Sequence, residues 1–235
     1  MEQPPERRFA DALAKARGDW AAADAAACAE RAGCKQTHGG VLVPLFGTPH
    51  LVTHPGGAVT ELAAGGSPLA AVGSPHAAGG GADTAGEPAE PGRPAPVAVA
   101  ILLLHYLVTA DGTPAEGVWK AYRELPDGLF YAFSFTQRAE QPVARAFAAS
   151  RDDLDGFRAA ARALGGDALA LGDASFRFVA LPRVAVAVLV WSGDDEEPGE
   201  ARVLFDATAG RYLPAEDLAG LGGQLAHRLL AAARR

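Results

Sequence analysis

Residues 184–191 read VAVAVLVW, an uninterrupted apolar run. A short run rich in valine is typical of a strand covered on both faces, because a half-exposed strand alternates with polar residues. The chain must therefore place other elements on both sides of this strand. Two neighbouring segments supply partner strands: residues 175–181 alternate, with Phe176 and Phe178 on one face, and residues 201–206 form a third strand.

Helical periodicity predicts the elements that cover such a sheet. Residues 5–31 predict an amphipathic helix that ends at Gly33, and residues 97–108 predict a buried helix. A third helix begins at Asp152 or Asp153 and stops at Gly165. The last helix begins at Pro214 and carries one apolar stripe, made of Leu218, Leu221, Leu225 and Leu229.

An early hairpin completes the expected architecture. Residues 41–46 and 50–53 are β-prone and flank turn residues 47–49, and Pro44 favours an edge position for the first strand. Strands occur early and late without a βαβ rhythm. The sequence therefore predicts an α+β fold with a mainly antiparallel sheet.

The composition changes abruptly over residues 64–96. Nine Ala, eight Gly and six Pro account for 23 of these 33 residues, and none is aromatic. Such a segment does not offset its ordering entropy by burial, which predicts a disordered insertion. The 63 residues before it contain too little apolar material to fold alone, so we expect a single domain over residues 1–235.

Charge and composition narrow the classes of partner. There are 21 Lys and Arg against 28 Asp and Glu, a net charge of -7, which argues against binding to nucleic acid or to an anionic membrane surface. The first residues lack the pattern of a secretory signal, and the longest apolar stretch, residues 97–110, is too short to cross a bilayer. We expect a soluble cytoplasmic protein whose Cys28 and Cys34 stay reduced.

Several short motifs resemble a bacterial and archaeal family catalogued as domain of unknown function 3786. The residues that carry this resemblance are Ile101–Leu107, Trp119, Arg123-Glu124-Leu125, Leu181-Pro182-Arg183, Trp191, Leu204-Phe205-Asp206, Arg211-Tyr212-Leu213 and Glu216-Asp217. The resemblance implies family membership over roughly the last 140 residues. It brings no catalytic residues, cofactor or substrate. The segment 64–96 and the acidic loop 194–197, which runs directly into Pro198, depart from the family pattern.

Two arginines are the strongest candidates for ligand binding. Arg183 follows Pro182 between two strands, where a guanidinium can bind a carboxylate or phosphate through two hydrogen bonds. Arg123 invites the same interpretation. The structural alternative for Arg183 is a salt bridge to Asp206 or Glu216.

His105, Asp206 and Trp191 complete the candidate ligand-binding residues. His105 lies in a very apolar segment, where it is either a poised general base or a hydrogen-bonded core histidine. The leading hypothesis is a non-catalytic accessory module that binds a small anionic ligand or a partner protein.

Two metal hypotheses remain as alternatives. Carboxylates near Asp206, namely residues 194–197, Glu216 and Asp217, suit a hard cation in a metal-dependent enzyme, although turns and a helix dipole also explain them. A Cys/His group suits zinc, although its spacing matches no closed motif; its members are Cys28, Cys34, His38, His50 and His54. Nucleophile-elbow, phosphate-loop and dinucleotide motifs are missing from the sequence, which weighs against an enzyme and leaves any cofactor unassigned.

Overall fold

Two five-stranded antiparallel sheets organise the protein. The computed structural model describes residues 5–62, 92–194 and 196–234 of the chain. Helices and antiparallel sheets together make this an α+β fold, as the sequence predicts.

The first sheet follows two helices. These elements are α1 (Pro5–Ala22), α2 (Ala25–Ala32), β1 (Lys35–Thr37), β2 (Gly40–Leu45), β3 (Thr48–Thr53), β4 (Val59–Glu61) and β5 (Arg93–Pro94). The strands pair in chain order, each antiparallel to the next.

The helix predicted over residues 5–31 is two helices. The Asp24 carboxylate accepts hydrogen bonds from the backbone N–H groups of Ala26 and Ala27, at 3.0 and 3.2 Å, and so caps α2. This cap interrupts a continuous helix, which is why apolar spacing alone does not locate the break. Gly33 ends α2 in a left-handed conformation, as predicted.

The predicted hairpin is present, with two corrections. Its turn lies at Phe46 and Gly47, both with positive φ, so β3 starts earlier than expected. The expectation that Pro44 marks an edge strand is wrong, because β2 pairs with β1 on one side and β3 on the other. Pro44 is tolerated there because β1 pairs only as far as Leu42.

The second sheet and the remaining helices follow residue 96. They are α3 (Val97–Thr109), β6 (Trp119–Ala121), α4 (Gly128–Phe135), α5 (Gln141–Phe147), α6 (Asp153–Ala163), β7 (Asp167–Leu169), β8 (Ala174–Leu181), β9 (Val184–Trp191), β10 (Glu200–Asp206) and α7 (Ala215–Ala232). Tyr122–Glu124 forms a 3-10 turn, and a π-helical segment, Thr136–Glu140, joins α4 to α5.

The strand order of the second sheet is β6-β10-β9-β8-β7, which puts β9 at its centre, as predicted. Val186 and Val188 are fully buried on one face, which also carries Phe176 and Phe178 of β8. We call the opposite face, which carries Leu189 and Trp191, the outer face.

The buried apolar side chains form one continuous cluster that runs from α1 to α7. The predicted buried helix is confirmed in α3. The predicted stripe of α7 is confirmed as well, since Leu218, Leu221, Leu225 and Leu229 are all buried. None of the described helices is both long enough and apolar enough to cross a membrane.

Most of the predicted insertion lies in residues 63–91, outside the described residues. Its last five residues, 92–96, are described, and β5 pairs there with β4. Arg93 Nη2 lies 2.9 Å from Glu61 Oε1 across this pairing. The end of the predicted segment is therefore part of the first sheet.

Candidate functional site

A cleft of ≈ 530 Å³ lies between the outer face of the second sheet and the helical segment formed by α4, the π turn and α5. We call it the Arg123 cleft. Its sheet wall comes from Ala121, Leu189, Trp191, Arg202 and Leu204, and its other wall from Tyr122, Arg123, Ala132, Phe133, Phe135, Thr136, Gln137, Glu140 and Gln141. Strand pairing sets Arg202 opposite Leu189, beside Trp191.

Close packing holds both ends of α4 beside the cleft. The rings of Tyr122 and Phe135 are stacked, with centroids 4.2 Å apart, and Phe205 packs against both. Gly128 begins α4 so close to the 3-10 turn that a Cβ atom would lie 2.0 Å from the Tyr122 carbonyl oxygen. Only glycine fits at this position, and it holds α4 beside the cleft.

The π turn shapes the far end of the same wall. Pro142 follows it in the first turn of α5 and lacks the N–H that an α-helix would donate to the carbonyl of Arg138. The wider π turn relieves the clash between the proline ring and that carbonyl. As a result, Glu140 turns inward to the edge of β10.

Glu140 is a buried carboxylate with partners on two elements. Its Oε2 accepts from the Thr136 hydroxyl at 2.8 Å, and its Oε1 accepts from the backbone N–H of Val203 at 3.2 Å. This N–H is available because β6 pairs only with the end of β10 that follows Val203. Arg202 lies 3.9 Å from Glu140 and forms an ion pair with Glu200, so neighbouring carboxylates offset its charge.

Arg123 and Trp191 face the same cleft from opposite walls. Arg123 is exposed and forms no ion pair among the described residues. Trp191 is half-buried, and Gly172 lies against its indole, where a Cβ would sit 3.1 Å from a ring carbon. The indole is therefore held on one side and open to the cleft on the other.

The cleft combines an apolar surface with a guanidinium. Apolar side chains and one indole offer a surface for a flat or aliphatic group, and the Arg123 guanidinium offers paired N–H donors to an anion. Two hydroxyls in its wall are engaged: the Tyr122 hydroxyl donates to the Ala215 carbonyl, and the Thr136 hydroxyl donates to Glu140. An anion in the cleft would therefore meet the Arg123 guanidinium, which forms no ion pair among the described residues.

Comparison with known families supports the resemblance noted in the sequence. The family described as Domain of unknown function (DUF3786) has a model that matches residues 79–228, more than half of the chain. The chain belongs to this family. No curated protein and no solved structure matches the chain.

The DUF3786 match divides the candidate residues into two groups. Every residue that lines the Arg123 cleft falls inside residues 79–228, as do His105, Arg183 and Asp206. The five members of the Cys/His group precede the match. The Arg123 cleft is thus built entirely from the matched part of the chain.

His105 lies outside the Arg123 cleft, in a second cleft of ≈ 370 Å³ in the DUF3786 chain. Its Nδ1 is 2.5 Å from Asp217 Oδ2, and Lys15, Asp19 and Thr109 also line this cleft. The hydrogen bond with Asp217 raises the pKa of His105 despite partial burial. His105 therefore bridges α3 and α7 through Asp217.

Arg183 also lies away from the cleft. Its backbone N–H donates to the Tyr106 hydroxyl at 3.0 Å, and its side chain packs against Gly33 at the end of α2. It forms no ion pair with Asp206 or Glu216 in the described part of the chain, and its buried Nε has no hydrogen-bond partner there. The predicted salt bridge is therefore absent, and anion binding by Arg183 stays a prediction.

Asp206 is buried, and its side chain holds nearby backbone segments through hydrogen bonds. Its carboxylate accepts from the N–H groups of Glu116 and Gly117 and from both the N–H and the hydroxyl of Thr208. Burial raises the pKa of Asp206, but these hydrogen bonds outweigh burial and lower it overall. The Asx turn considered from the sequence is present, and the lone pairs of this carboxylate are taken.

Those of the other carboxylates that the structure describes do not gather around Asp206. Asp194 accepts from the N–H groups of Glu196 and Glu197 within its own loop, and Asp217 contacts His105. Within the ranges 5–62, 92–194 and 196–234, no three His, Cys, Asp or Glu side chains are placed to hold one metal ion.

The two cysteines of the Cys/His group are free thiols with separate surroundings. Arg31 Nη2 lies 3.3 Å from Cys28 Sγ, whereas Cys34 Sγ contacts the Ala32 carbonyl. Burial raises the pKa of Cys34 to about 12 and also raises the pKa of Cys28. Burial therefore disfavours the thiolate form that binds metals.

The three histidines of this group are also apart. His50 is buried in β3, its Nδ1 contacts the Thr48 carbonyl at 2.9 Å, and burial lowers its pKa. His54 packs edge-on against Trp20 and contacts the Ala23 carbonyl. His38 is exposed in the β1–β2 turn. The three histidines therefore do not form one metal site in the part of the chain that the structure describes.

Only Arg123 and Trp191 among the lining residues were predicted from the sequence, and Phe133 and Glu140 are among those that were not. Both belong to the helical segment after Gly128, which the amphipathic pattern does not reveal because apolar residues fall on every face of α4. The available signal was the density of aromatic residues over 129–135, LFYAFSF, which indicates an ordered element.

Proposed function

We propose that this DUF3786 chain is a non-catalytic module that binds a small anionic ligand in the Arg123 cleft. Arg123 meets the anionic group, and Trp191 meets a flat apolar part of the same molecule. One observation carries the proposal: an exposed arginine without an ion-pair partner among the described residues lines one cleft with a half-buried indole. Two of the sequence-predicted ligand residues thus share a site.

Electrostatics supports an anion rather than a cation as the ligand. The chain as a whole carries a charge of -7, which repels anions at a distance. Within the cleft, Glu140 is engaged by two hydrogen bonds, and Arg202 stands next to it. Arg123 therefore supplies the uncompensated charge at short range, where Coulomb attraction exceeds that long-range repulsion.

The apolar wall supports a ligand with a ring or an aliphatic body. The apolar side chains that line the cleft include Phe133, Leu189, Leu204 and Trp191. An inorganic anion would leave this apolar surface exposed to water. Burial of a ring against it adds roughly 25 cal/mol per Å² of apolar area. A phenyl-bearing anion should therefore bind more tightly than inorganic phosphate.

Three probes separate the contributions: inorganic phosphate, phenyl phosphate and benzyl alcohol. Phenyl phosphate at about a hundred times its Kd should raise the melting temperature by roughly 5–10 °C. The other two probes should give smaller shifts, since each engages only one wall of the site. Phenyl phosphate should also quench the fluorescence of Trp191.

Matched variants locate the binding. Arg123→Gln and Trp191→Leu should each lose most of the shift given by phenyl phosphate. Arg151→Gln serves as the control, because Arg151 is equally exposed and lies outside the cleft. A shift that survives in Arg123→Gln, or the absence of any shift in the wild type, would overturn the proposal.

We also propose that the protein acts in the cytoplasm. Both cysteines are free thiols, which fits a reducing compartment. Fractionation of the native host should place the protein in the soluble cytoplasmic fraction, and recovery from an oxidising compartment would contradict this assignment.

A further inference from the structure

Helix α4 turns its apolar side chains outward. Leu129, Phe130 and Phe133 are 72%, 83% and 79% exposed, and Tyr131 is also exposed. The buried side of the helix is narrow and includes Gly128 and Phe135. We call the four exposed side chains the α4 face; it is a contiguous apolar surface on a single helix.

The area of the α4 face is large enough for one side of a small protein–protein interface. An aromatic side chain buries about 150–250 Å² when covered, so four large side chains at these exposures offer on the order of 500 Å². Two such faces in contact would bury about 1,000 Å² in total, the lower limit for a specific protein–protein interface. An area of this size is comparable with the largest apolar patch on a typical monomer, about 300–600 Å², and such a patch is often functional.

The charges around the α4 face identify the occupant. Residues 128–137 carry no charge, whereas Asp127 precedes them and Arg138 follows. Both flanking side chains are exposed, and neither forms an ion pair among the described residues. Opposite charges therefore flank α4 and the start of the π turn, roughly 16 Å apart along the axis at the usual rise per residue.

We propose that a second copy of this chain docks on the α4 face. Two copies related by a two-fold axis pack α4 antiparallel, so that Asp127 of each copy faces Arg138 of the other. The apolar centres then meet without any like charges, and the helix dipoles also oppose one another favourably. A face whose two ends complement each other fits a second copy better than an unrelated partner of uniform charge.

Dimer formation does not require the proposed ligand, but it would change the surroundings of the Arg123 cleft. Phe133 belongs both to the α4 face and to the wall of the Arg123 cleft. Docking of a second copy covers the outward side of that wall and shields the cleft from water.

Sedimentation velocity of the full chain over a wide concentration range tests the proposal. The wild type should dimerise reversibly, and Phe130→Ser should be monomeric with an unchanged melting temperature for the protomer, because Phe130 is exposed and lies outside the cleft. Val179→Ser is the matched control, since Val179 is 49% exposed on β8. It should dimerise like the wild type.

A charge swap tests the antiparallel arrangement. Asp127→Arg and Arg138→Asp should each raise the dimer Kd about tenfold, because each variant sets like charges opposite one another twice per dimer. The double variant should regain the wild-type Kd. Asp127 has a positive φ, so its replacement strains the backbone. The double variant carries the same strain, and restoration would therefore come from the charges.

Three outcomes would overturn the proposal. One is a wild type that stays monomeric at every concentration. Another is a dimer that persists unchanged in Phe130→Ser. The third is a monomer that binds neutral phosphatidylcholine vesicles through Phe130, which would make the α4 face a membrane contact.

Discussion

The Nδ1 atom of His105 and the Oδ2 atom of Asp217 lie 2.5 Å apart and join α3 to the first turn of α7. The contact is between two helices that are far apart in sequence, and both side chains are partly exposed. We therefore expect the protonated form of His105 to contribute to the stability of the fold through this contact.

The His105 contact predicts a loss of stability as pH rises. The hydrogen bond with Asp217 raises the pKa of His105 above its ordinary value of 6.5. A raised pKa in the folded state stabilises the protein fully below the unfolded pKa, and this contribution disappears as pH rises through the folded pKa. Melting temperature measured from pH 5 to pH 9 should fall across that window in the wild type.

Asp217→Asn should flatten this pH dependence. Glu216→Gln is the matched control, because Glu216 occupies the same first turn of α7, is exposed and interacts equally with the helix dipole. If both variants keep the wild-type slope, then a different group titrates.

Adjacent glycines of α7 should respond oppositely to alanine. A Cβ on Gly222 would lie 2.6 Å from the Phe135 ring, whereas a Cβ on Gly223 would meet nothing within 4 Å. Gly222→Ala should destabilise by about 1–3 kcal/mol through overpacking. Gly223→Ala should stabilise by about 0.5–1 kcal/mol through helix propensity. Urea unfolding of both variants measures the difference, and equal effects would show that α4 does not approach α7 at Gly222.

The buried Glu140 carboxylate should matter for stability. Glu140→Ala leaves the Val203 N–H buried without an acceptor, which should cost about 1–3 kcal/mol. Glu140→Gln keeps an acceptor oxygen and should lose less. Glu200 is exposed and lies in β10, the strand that contains Val203. Glu200→Ala should therefore stay within about 0.5 kcal/mol of the wild type. Denaturant unfolding that ranks Glu200→Ala as the more costly change would contradict this role.

The stripe on α7 gives the last prediction. Leu225 is buried and His227 is exposed. Leu225→Ala should therefore destabilise by about 2–5 kcal/mol, and His227→Ala should lie within about 0.5 kcal/mol of the wild type. Thermal unfolding of the two variants provides the comparison, and similar losses would place the wrong side of α7 in the core.

The sequence predicts those elements whose burial leaves a distinctive pattern. The continuous valine-rich run over residues 184–191 indicates a covered strand, and the helical spacing of the leucines in α7 indicates a face toward the core. The break at Asp24 was not predictable from spacing, because one side-chain cap decides it. The helix α4 was missed for the opposite reason: its outward face is as apolar as its inward face, so it carries no helical period.

Two of the predicted ligand residues, Arg123 and Trp191, line one cleft, and their role as ligand residues stays a prediction. Arg183, His105 and Asp206 lie elsewhere, since Tyr106, Asp217 and the backbone near Thr208 engage them locally. Which polar residue finds a local partner depends on tertiary contacts that no sequence spacing encodes.

The Glu140 carboxylate also controls what can be added to the second sheet. β6 leaves the first half of β10 uncovered, and an uncovered strand edge is a template on which strands of other molecules can grow. Glu140 takes the Val203 N–H, and α5 lies along that edge. Glu140 and α5 together thereby block strand addition at this part of the edge.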